Sequence, residues 1–183
     1  MAGMPRYSGR RMVKPVLGLD IGGVLVDRLA EGEDTSFFGS RPMETPAVDG
    51  AVEAVERLLS AFDSRVHIVS KAGPRIAALS RQWLREQGMF PLPLLDSQVH
   101  FVRDRVDKAP ICRRLGVTHF VDDRLSVLNH LAHVDRRVLF TGGLGVHPAP
   151  SRESVPAGIA VMPSWPETVR YLLDSLKGYA GSR

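Results

Sequence analysis

The chain has 183 residues, 44% of them hydrophobic and 24% charged, which is typical of one globular domain with a substantial core. A single cysteine, Cys112, excludes an internal disulfide framework. No apolar stretch approaches the roughly 20 residues of a membrane span, and the first residues lack the apolar core of a secretory signal, so we expect a cytoplasmic protein that does not enter a membrane.

The net charge of +4 is concentrated before the first predicted strand, where four basic residues have no acidic neighbour. These are Arg6, Arg10, Arg11 and Lys14, and the remaining 20 basic residues balance 20 acidic ones. We predict a flexible basic arm at residues 1–13, a core domain at 14–177 and a flexible tail at 178–183. A basic arm can bind nucleic acid or another polyanion, although a solvated terminus is the commoner explanation.

Strand and helix signals alternate along the core, which predicts a Rossmann-like α/β fold with a parallel sheet and helices on both faces. The predicted strands are short apolar runs at residues 16–19, 66–70, 99–102, 118–122, 137–140 and 158–162. The predicted helices have apolar residues three or four positions apart and lie at 48–62, from Pro74 to near Gly88, at 107–116, at 125–131 and from Ser164 to about 176. Asp107 is predicted to cap the third helix, and Ser164 with Glu167 to form a capping box.

Three segments between these elements are predicted as irregular. Residues 25–47 are polar, residues 90–95 (FPLPLL) are interrupted by prolines, and residues 142–156 form a long loop. We expect the glycines of that long loop, Gly142, Gly143 and Gly145, to shape the rim of any site at the sheet edge.

Charged and hydroxyl-bearing residues suited to catalysis or metal binding stand at or near the strand ends. Asp20, Ser70 and the Asp122–Asp123 pair each end an apolar strand, and Lys108 opens a short helical stretch. Each has an ordinary alternative, since acids cap turns, serines occupy turns and most lysines are solvated. The carboxyl ends of parallel strands nevertheless meet at one sheet edge, which is where α/β proteins bind ligands.

The order Asp, Ser, Lys, Asp-Asp resembles the four motifs of the haloacid dehalogenase-like superfamily over roughly residues 14–175. The resemblance implies phosphoryl transfer through an aspartyl-phosphate on Asp20. Many members insert a cap domain between the first two motifs or between the second and third. Here these gaps hold about fifty and fewer than forty residues, so we predict no separate cap domain.

The resemblance also implies a role for each residue. Asp20 attacks phosphorus, Ser70 donates a hydrogen bond to a phosphoryl oxygen, and Lys108 neutralises negative charge. The backbone N–H groups of residues 21–23 complete a phosphate cradle. The substrate-binding candidates are Ile21, Gly22, Gly23, Lys71 and Arg124.

A magnesium ion is the implied cofactor, because Mg²⁺ prefers oxygen ligands and shields the negative charge of a phosphoryl group. Its expected ligands are Asp20, the backbone carbonyl of Gly22, Asp122 and Asp123. The sequence leaves open which of the two neighbouring aspartates binds the metal directly.

Gly22 departs from the family pattern. Phosphatases of this superfamily usually have a second aspartate at this position, which protonates the leaving group and then activates water. Loss of such general acid–base catalysis typically slows a reaction by about 10²–10⁴-fold. The metal ligand at this position is a backbone carbonyl, so metal binding is unaffected.

Three interpretations follow from Gly22. The protein is a phosphatase that acts on a good leaving group or takes an acid from the next segment, where Asp27, Glu31, Glu33 and Asp34 are the candidates. Alternatively, it catalyses a different reaction of the superfamily. The third interpretation is a catalytically impaired pseudoenzyme that binds phosphate or a phosphorylated partner.

The expected substrate is a phosphorylated small molecule or a larger phosphorylated molecule. The Asp-Asp-Arg sequence at 122–124 is similar to that of some capless members acting on nucleotides or polynucleotide ends, which keeps nucleic acid as a weaker candidate. A capless site is open, so it accommodates a large substrate or is covered by a neighbouring subunit in a homo-oligomer.

Overall fold

Six parallel strands form one sheet in the order β3-β2-β1-β4-β5-β6. The structure is a computed structural model that describes residues 14–27, 40–143 and 154–180. The strands are β1 (Leu17–Leu19), β2 (Val66–Lys71), β3 (Val99–Val102), β4 (His119–Asp122), β5 (Arg136–Phe140) and β6 (Ile159–Met162). The predicted α/β Rossmann-like fold is therefore confirmed.

The chain reverses its direction of travel across the sheet between β1 and β4. It first adds β2 and β3 on one side of β1, and then returns to add β4, β5 and β6 on the other. Such a switch point opens a crevice beyond the carboxyl ends of the two central strands. Asp20 follows β1 and Asp122 ends β4, so both acids lie at this crevice.

Helices cover both faces of the sheet because successive strand residues point to opposite sides. The helices are α1 (Ala51–Ala61), α2 (Pro74–Glu86), α3 (Leu92–Gln98), α4 (Lys108–Leu115), α5 (Leu125–His130) and α6 (Trp165–Ala180). Apolar residues of α1, α2 and α6 pack in one core cluster with Leu17, Leu19 and Val121. Residues of α4 and α5 pack in a second cluster with Phe120 and Val69.

Residues 90–95 were predicted as a loop, and that prediction is wrong. Helix α3 begins at Leu92, with Pro91 at its N-cap and a second proline in its first turn. Proline is tolerated there because the first N–H groups of a helix have no partner within the helix. Prolines that argue against a helix interior are therefore compatible with a helix start.

Two helix boundaries and one helix cap also differ from the expectations. Helix α1 begins at Ala51 rather than at residue 48, because Gly50 has a left-handed backbone (φ 74°). Asp107 stands at the N-cap of α4 without capping it, since its carboxylate instead accepts a hydrogen bond from the Asp104 N–H (3.3 Å) in the preceding 3-10 turn. Helix α6 continues to Ala180, into the predicted tail.

The predicted capping box before α6 is confirmed. The Glu167 N–H donates to Ser164 Oγ, and Ser164 Oγ donates to Glu167 Oε1, each over 3.4 Å. The predicted basic arm at 1–13 lies outside the described residues, as do Glu31, Glu33, Asp34 and Gly145. Within the described part of the chain, no helix is long and apolar enough to cross a membrane.

Candidate functional site

Two acids predicted at separate strand ends are neighbours across the sheet. Leu19 lies beside Val121 in the parallel register, so Asp20 and Asp122 follow at adjacent positions. The Asp20 N–H donates to the Val121 carbonyl (3.0 Å), which extends this register by one residue. Asp20 is only 7% exposed and Asp122 is fully buried. The sheet therefore holds two carboxylates together in a largely water-excluded position.

Lys108 provides the positive charge between these acids. Its Nζ lies 3.0 Å from Asp20 Oδ1 and donates a hydrogen bond to Asp122 Oδ2 at 2.7 Å, and the residue is 1% exposed. Burial acts to lower the pKa of Lys108, but the charges of Asp20 and Asp122 outweigh it and raise that pKa above the ordinary value. Lys108 is thus a permanent buried cation that bridges the two carboxylates.

The remaining acid, Asp123, completes a cluster suited to a divalent cation. Asp20, Asp122 and Asp123 each offer one carboxylate oxygen within 4.8 Å of the other two. Three carboxylates face one ammonium group, so a divalent cation would balance the charge of this cluster. Burial, reinforced by the charge on Asp20, raises the pKa of Asp122. The residues present therefore fit the oxygen ligands that Mg²⁺ requires.

The second carboxylate oxygen of Asp122 is hydrogen-bonded to the backbone. Asp122 Oδ1 accepts a hydrogen bond from the Arg124 N–H (2.9 Å), which holds the turn that follows β4. Asp122 is therefore fixed at both oxygens, by Lys108 and by this backbone. Asp123, which is 9% exposed, stands nearer the solvent.

Ser70 ends β2 on the other side of β1, where the sequence predicted it. It is buried, and its hydroxyl has no hydrogen-bond partner among the described residues. Leu19 pairs with Ile68, so Ser70 lies two register positions further on, beside the turn that follows Asp20. The hydroxyl is therefore available to donate to a bound group at the crevice.

The turn after Asp20 is tightly built. The N–H groups of residues 24–26 all point to the Ile21 carbonyl, and the Gly23 N–H donates to the Val26 carbonyl (2.8 Å). Gly23 has a left-handed backbone (φ 76°), which favours glycine. A Cβ at Gly22, in contrast, would meet no atom of the described residues within 4 Å, its chain neighbours apart. The fold therefore does not require a glycine at the position where the family has its acid.

Two distant segments hold this turn in place. Trp165, at the start of α6, donates its indole N–H to the Val24 carbonyl (2.9 Å). A Cβ at Gly143 would lie 2.8 Å from the Gly23 carbonyl oxygen, so the two glycine backbones are in close contact. This contact supports the expectation of a rim role for Gly143, whereas Gly142 lies against Pro163 and Phe140.

Other features of the site were missed from the sequence. The Phe120 ring lies 5.7 Å from Lys108 Nζ and packs on Gly18, where a Cβ would approach it to 2.4 Å. A glycine inside a strand was the available signal, because it often marks a close approach. Three further arginines, Arg75, Arg103 and Arg105, also stand just beyond strand ends and are exposed.

The remaining residues singled out in the sequence differ in how deeply they are buried. Lys71 is exposed and Arg124 is half-buried, both at the carboxyl edge. Asp27 is buried at the end of the turn, and its N–H donates to the Pro46 carbonyl (2.9 Å). Cys112 is buried, and burial raises the pKa of its thiol to about 12, which agrees with a packing role.

No protein-family model and no curated protein sequence matches the chain. Several solved structures do. D,D-heptose 1,7-bisphosphate phosphatase from Burkholderia thailandensis is 18% identical with a TM-score of 0.56, and the match covers 87% of this chain and 99% of that one. A HAD family hydrolase from Deinococcus radiodurans R1, with bound phosphate and sodium, is 15% identical with a TM-score of 0.59, covering 87% and 95%. A haloacid dehalogenase-like hydrolase from Burkholderia xenovorans LB400 is 16% identical with a TM-score of 0.58, covering 89% and 98%.

The chain has the haloacid dehalogenase-like fold. The resemblance read from the four motifs is confirmed at this level, and the likeness extends over nearly the whole of each similar structure. Within the haloacid dehalogenase-like fold, what this chain does depends on its own site residues.

Proposed function

We propose that the protein is a magnesium-dependent phosphohydrolase that uses Asp20 as nucleophile and forms an aspartyl-phosphate. One observation carries the proposal: a buried carboxylate at the sheet switch point, paired with Lys108 and clustered with Asp122 and Asp123. The similar structures include a heptose bisphosphate phosphatase and a hydrolase with bound phosphate, which supports a phosphorylated substrate.

In the proposed reaction, a carboxylate oxygen of Asp20 forms a bond to phosphorus while the bond to the leaving oxygen breaks. Ser70 donates a hydrogen bond to a phosphoryl oxygen, and the backbone of Ile21 and Gly22 lies beside it. The Gly23 N–H is hydrogen-bonded to the Val26 carbonyl (2.8 Å), so it does not contribute to this phosphate cradle. Lys108 stabilises the charge that develops on the phosphoryl group. Asp20, Asp122, Asp123 and the Gly22 carbonyl would hold Mg²⁺, which would supply further charge shielding when bound. Water then hydrolyses the acyl phosphate and restores Asp20.

We also propose that the site is open and lacks a cap domain. Every residue between Ser70 and Lys108 belongs to α2, α3, β3 or their short connections. On the other side of the nucleophile, Asp27 and Pro46 are hydrogen-bonded, so the chain leaves and returns at neighbouring points around the residues that are not described. An open crevice admits a large substrate, or a second subunit that covers it.

The first test is Mg²⁺-dependent hydrolysis of para-nitrophenyl phosphate. Its leaving group needs little protonation, so the assay does not depend on an acid at Gly22. We expect turnover that EDTA abolishes and that falls at least about 10³-fold in Asp20→Asn, because the amide is not a nucleophile. The exposed Asp96→Asn is the matched control and should retain wild-type activity. Mass spectrometry of acid-quenched protein should find a phosphoryl group on the peptide that contains Asp20.

A second candidate is a pseudoenzyme that binds phosphate without turnover. The space at Gly22, in which the described residues place no acid, favours this alternative. It predicts that Mg²⁺ with orthovanadate raises the melting temperature of the wild-type protein. The same protein would hydrolyse para-nitrophenyl phosphate no faster than Asp20→Asn, which would exclude the phosphohydrolase.

A further inference from the structure

We propose that the substrate is a phosphoanhydride, in which the group that leaves the phosphorus is itself a phosphate. The inference rests on the proposed phosphohydrolase function and specifies its substrate class. Two independent observations carry it. One is a set of cations around the crevice that form no ion pair with the described residues, and the other is the composition of the site, whose described residues place no acid beside the leaving group.

Five basic side chains form what we call the basic rim. They stand at or just beyond the carboxyl ends of β2, β3 and β4, at the sheet edge where Asp20 lies. Strands β2 and β4 flank β1, and β3 lies beyond β2. The basic rim consists of Lys71, Arg75, Arg103, Arg105 and Arg124. None of these side chains forms an ion pair or a hydrogen bond with any residue in the described ranges.

Acidic side chains near the basic rim do not balance it. Asp104 and Asp107 lie on the same connection as Arg103 and Arg105, and they interact with each other's backbone in a reciprocal capping arrangement. Of the three acids in the cluster, Asp20 and Asp122 are paired with Lys108, and all three would be ligands of the proposed divalent cation. Unpaired cations around a phosphoryl site are expected to bind further anionic groups of the substrate. A substrate with one phosphate, held at Asp20, would leave the basic rim unused.

The second observation concerns the proton that an alcohol needs in order to leave. Among the described residues other than its chain neighbours, none has an atom within 4 Å of the place that a Cβ at Gly22 would take. Lys108 is held between two carboxylates, so its role is charge neutralisation. Asp27 is the remaining acid of the described part of this turn, and it is buried at the turn's far end. The site is therefore better suited to a leaving group that departs without protonation.

A phosphate leaving group satisfies both conditions. When Asp20 bonds to the terminal phosphorus, the bridging P–O bond breaks and its electron pair stays on the bridging oxygen. That oxygen becomes part of a phosphate, which has a second pKa of about 6 and is stable as an anion. A sugar alkoxide resembles hydroxide, whose parent water has a pKa of about 15.7. Water then attacks the aspartyl-phosphate, and its proton leaves with the released phosphate.

The test compares ADP with AMP, because the two substrates share their nucleoside. The terminal phosphoryl group leaves from a phosphate in ADP and from a sugar alcohol in AMP. We expect kcat/KM for ADP to exceed that for AMP by at least about 10²-fold. Gly22→Asp, which adds an acid in open space, should raise the AMP rate and narrow this ratio. Para-nitrophenyl phosphate is measured in parallel as the reference for the basic reaction.

A matched pair of variants on one helix tests the basic rim. Arg75 lies at the carboxyl-edge end of α2, and the equally exposed Arg85 lies about 15 Å further along the same helix. We expect Arg75→Gln to lower the ratio of ADP to para-nitrophenyl phosphate activity about tenfold, mainly through KM. Arg85→Gln should leave this ratio at the wild-type value.

The inference is overturned if AMP, or an oligonucleotide with a 5′-phosphate, is hydrolysed as well as ADP while para-nitrophenyl phosphate turnover depends on Asp20. It is also overturned if Asp27→Asn selectively lowers AMP hydrolysis, because an acid of the chain would then protonate the leaving group. In both cases the phosphohydrolase function stands. Absence of Asp20-dependent turnover on every substrate would instead refute the phosphohydrolase function, and the inference with it.

Discussion

Lys108 determines the charge balance of the candidate site. It is a fully buried cation whose two partners, Asp20 and Asp122, are buried carboxylates. Removing one member of such a group leaves buried charges unpaired, which lowers the free energy of unfolding far more than the loss of a surface ion pair does. The residue therefore contributes to stability as well as to the proposed chemistry.

We predict that Lys108→Met lowers the free energy of unfolding by about 3–5 kcal/mol in metal-free buffer. Mg²⁺ should restore part of this loss, because it supplies positive charge to the same carboxylates. Urea denaturation with and without Mg²⁺ measures both effects. The exposed Lys71→Met should remain within about 0.5 kcal/mol of wild type. A metal-free loss no larger than that of Lys71→Met would contradict the predicted charge balance.

Two glycines of the same strand and turn provide a matched stability test. A Cβ at Gly18 would stand 2.4 Å from the Phe120 ring, whereas one at Gly22 would meet nothing within 4 Å. We expect Gly18→Ala to lower the free energy of unfolding by about 1–3 kcal/mol through overpacking. Gly22→Ala should be neutral or stabilising by up to about 1 kcal/mol. If Gly18→Ala lowers the free energy of unfolding no more than Gly22→Ala does, the Phe120 ring moves aside at no energetic cost and the predicted overpacking is absent.

At the scale of elements, the strand ends were predictable and their arrangement was not. Apolar runs that stop at Asp20, Ser70 and Asp122 mark buried parallel strands, because these strands are covered on both faces. The adjacency of β1 and β4 depends on the path of the chain across the sheet. No local pattern encodes that path, so the 2.7 Å contact between Lys108 and Asp122 was not predicted. The family resemblance implied only that Lys108 neutralises charge on the phosphoryl group and on Asp20.

The errors of sequence reasoning also have local physical causes. Helix α3 was missed because prolines were taken as helix breakers, although they stand where a helix begins. The capping role predicted for Asp107 failed because the preceding 3-10 turn had already placed its backbone in a helical conformation. The importance of Trp165 was missed because its contact with Val24 joins positions 141 residues apart.

That contact leads to a prediction about how α6 supports the turn after Asp20. Trp165→Phe keeps an aromatic ring against Phe140 but removes the donor to the Val24 carbonyl. We expect a stability loss of about 1 kcal/mol and a clear fall in kcat for para-nitrophenyl phosphate, because the turn that carries the phosphate cradle is loosened.

The matched control for Trp165 is the other buried tryptophan. Trp83 donates to the Thr45 carbonyl (2.8 Å), on the returning chain rather than on the cradle. Trp83→Phe should therefore cost similar stability with a smaller effect on kcat. Thermal melts and steady-state kinetics on both variants separate a structural loss from a loss of positioning. Parallel falls in kcat would contradict a specific role for Trp165.

At the scale of the whole molecule, the two ends of the sheet carry titratable groups of different kinds. The carboxyl edge holds the acids and the basic rim, whereas the amino edge holds His119 at the start of β4. His119 is fully buried between the Thr118 hydroxyl (2.8 Å) and the Ser175 hydroxyl (2.9 Å). Burial, followed by the charge of Arg136, lowers the pKa of His119 to about 4.

The lowered pKa of His119 makes the stability of the fold depend on pH. The unfolded chain, with a histidine pKa of about 6.5, takes up a proton before the folded protein does. Protonation of His119 therefore leaves the free energy of unfolding unchanged above about pH 6.5, lowers it between about pH 6.5 and 4, and changes it no further below that range. The expected loss from this residue is of the order of 3 kcal/mol.

We predict that His119→Gln flattens this part of the pH profile. Urea denaturation of wild type and variant at several pH values between about 7 and 4 measures the difference in the free energy of unfolding. Near neutral pH the wild-type protein should have the larger free energy of unfolding, because the variant lacks the buried histidine contacts. This difference between wild type and variant should become smaller as the pH falls, because only wild type is destabilised by protonation of His119 in the unfolded chain. Asp122 and His67 also titrate, but they are present in both proteins and cancel in the difference. A difference that stays constant across the range would mean that the folded protein accepts a proton on His119 as readily as the unfolded chain does. The hydroxyl groups and aromatic rings around His119 would then not disfavour its charged form.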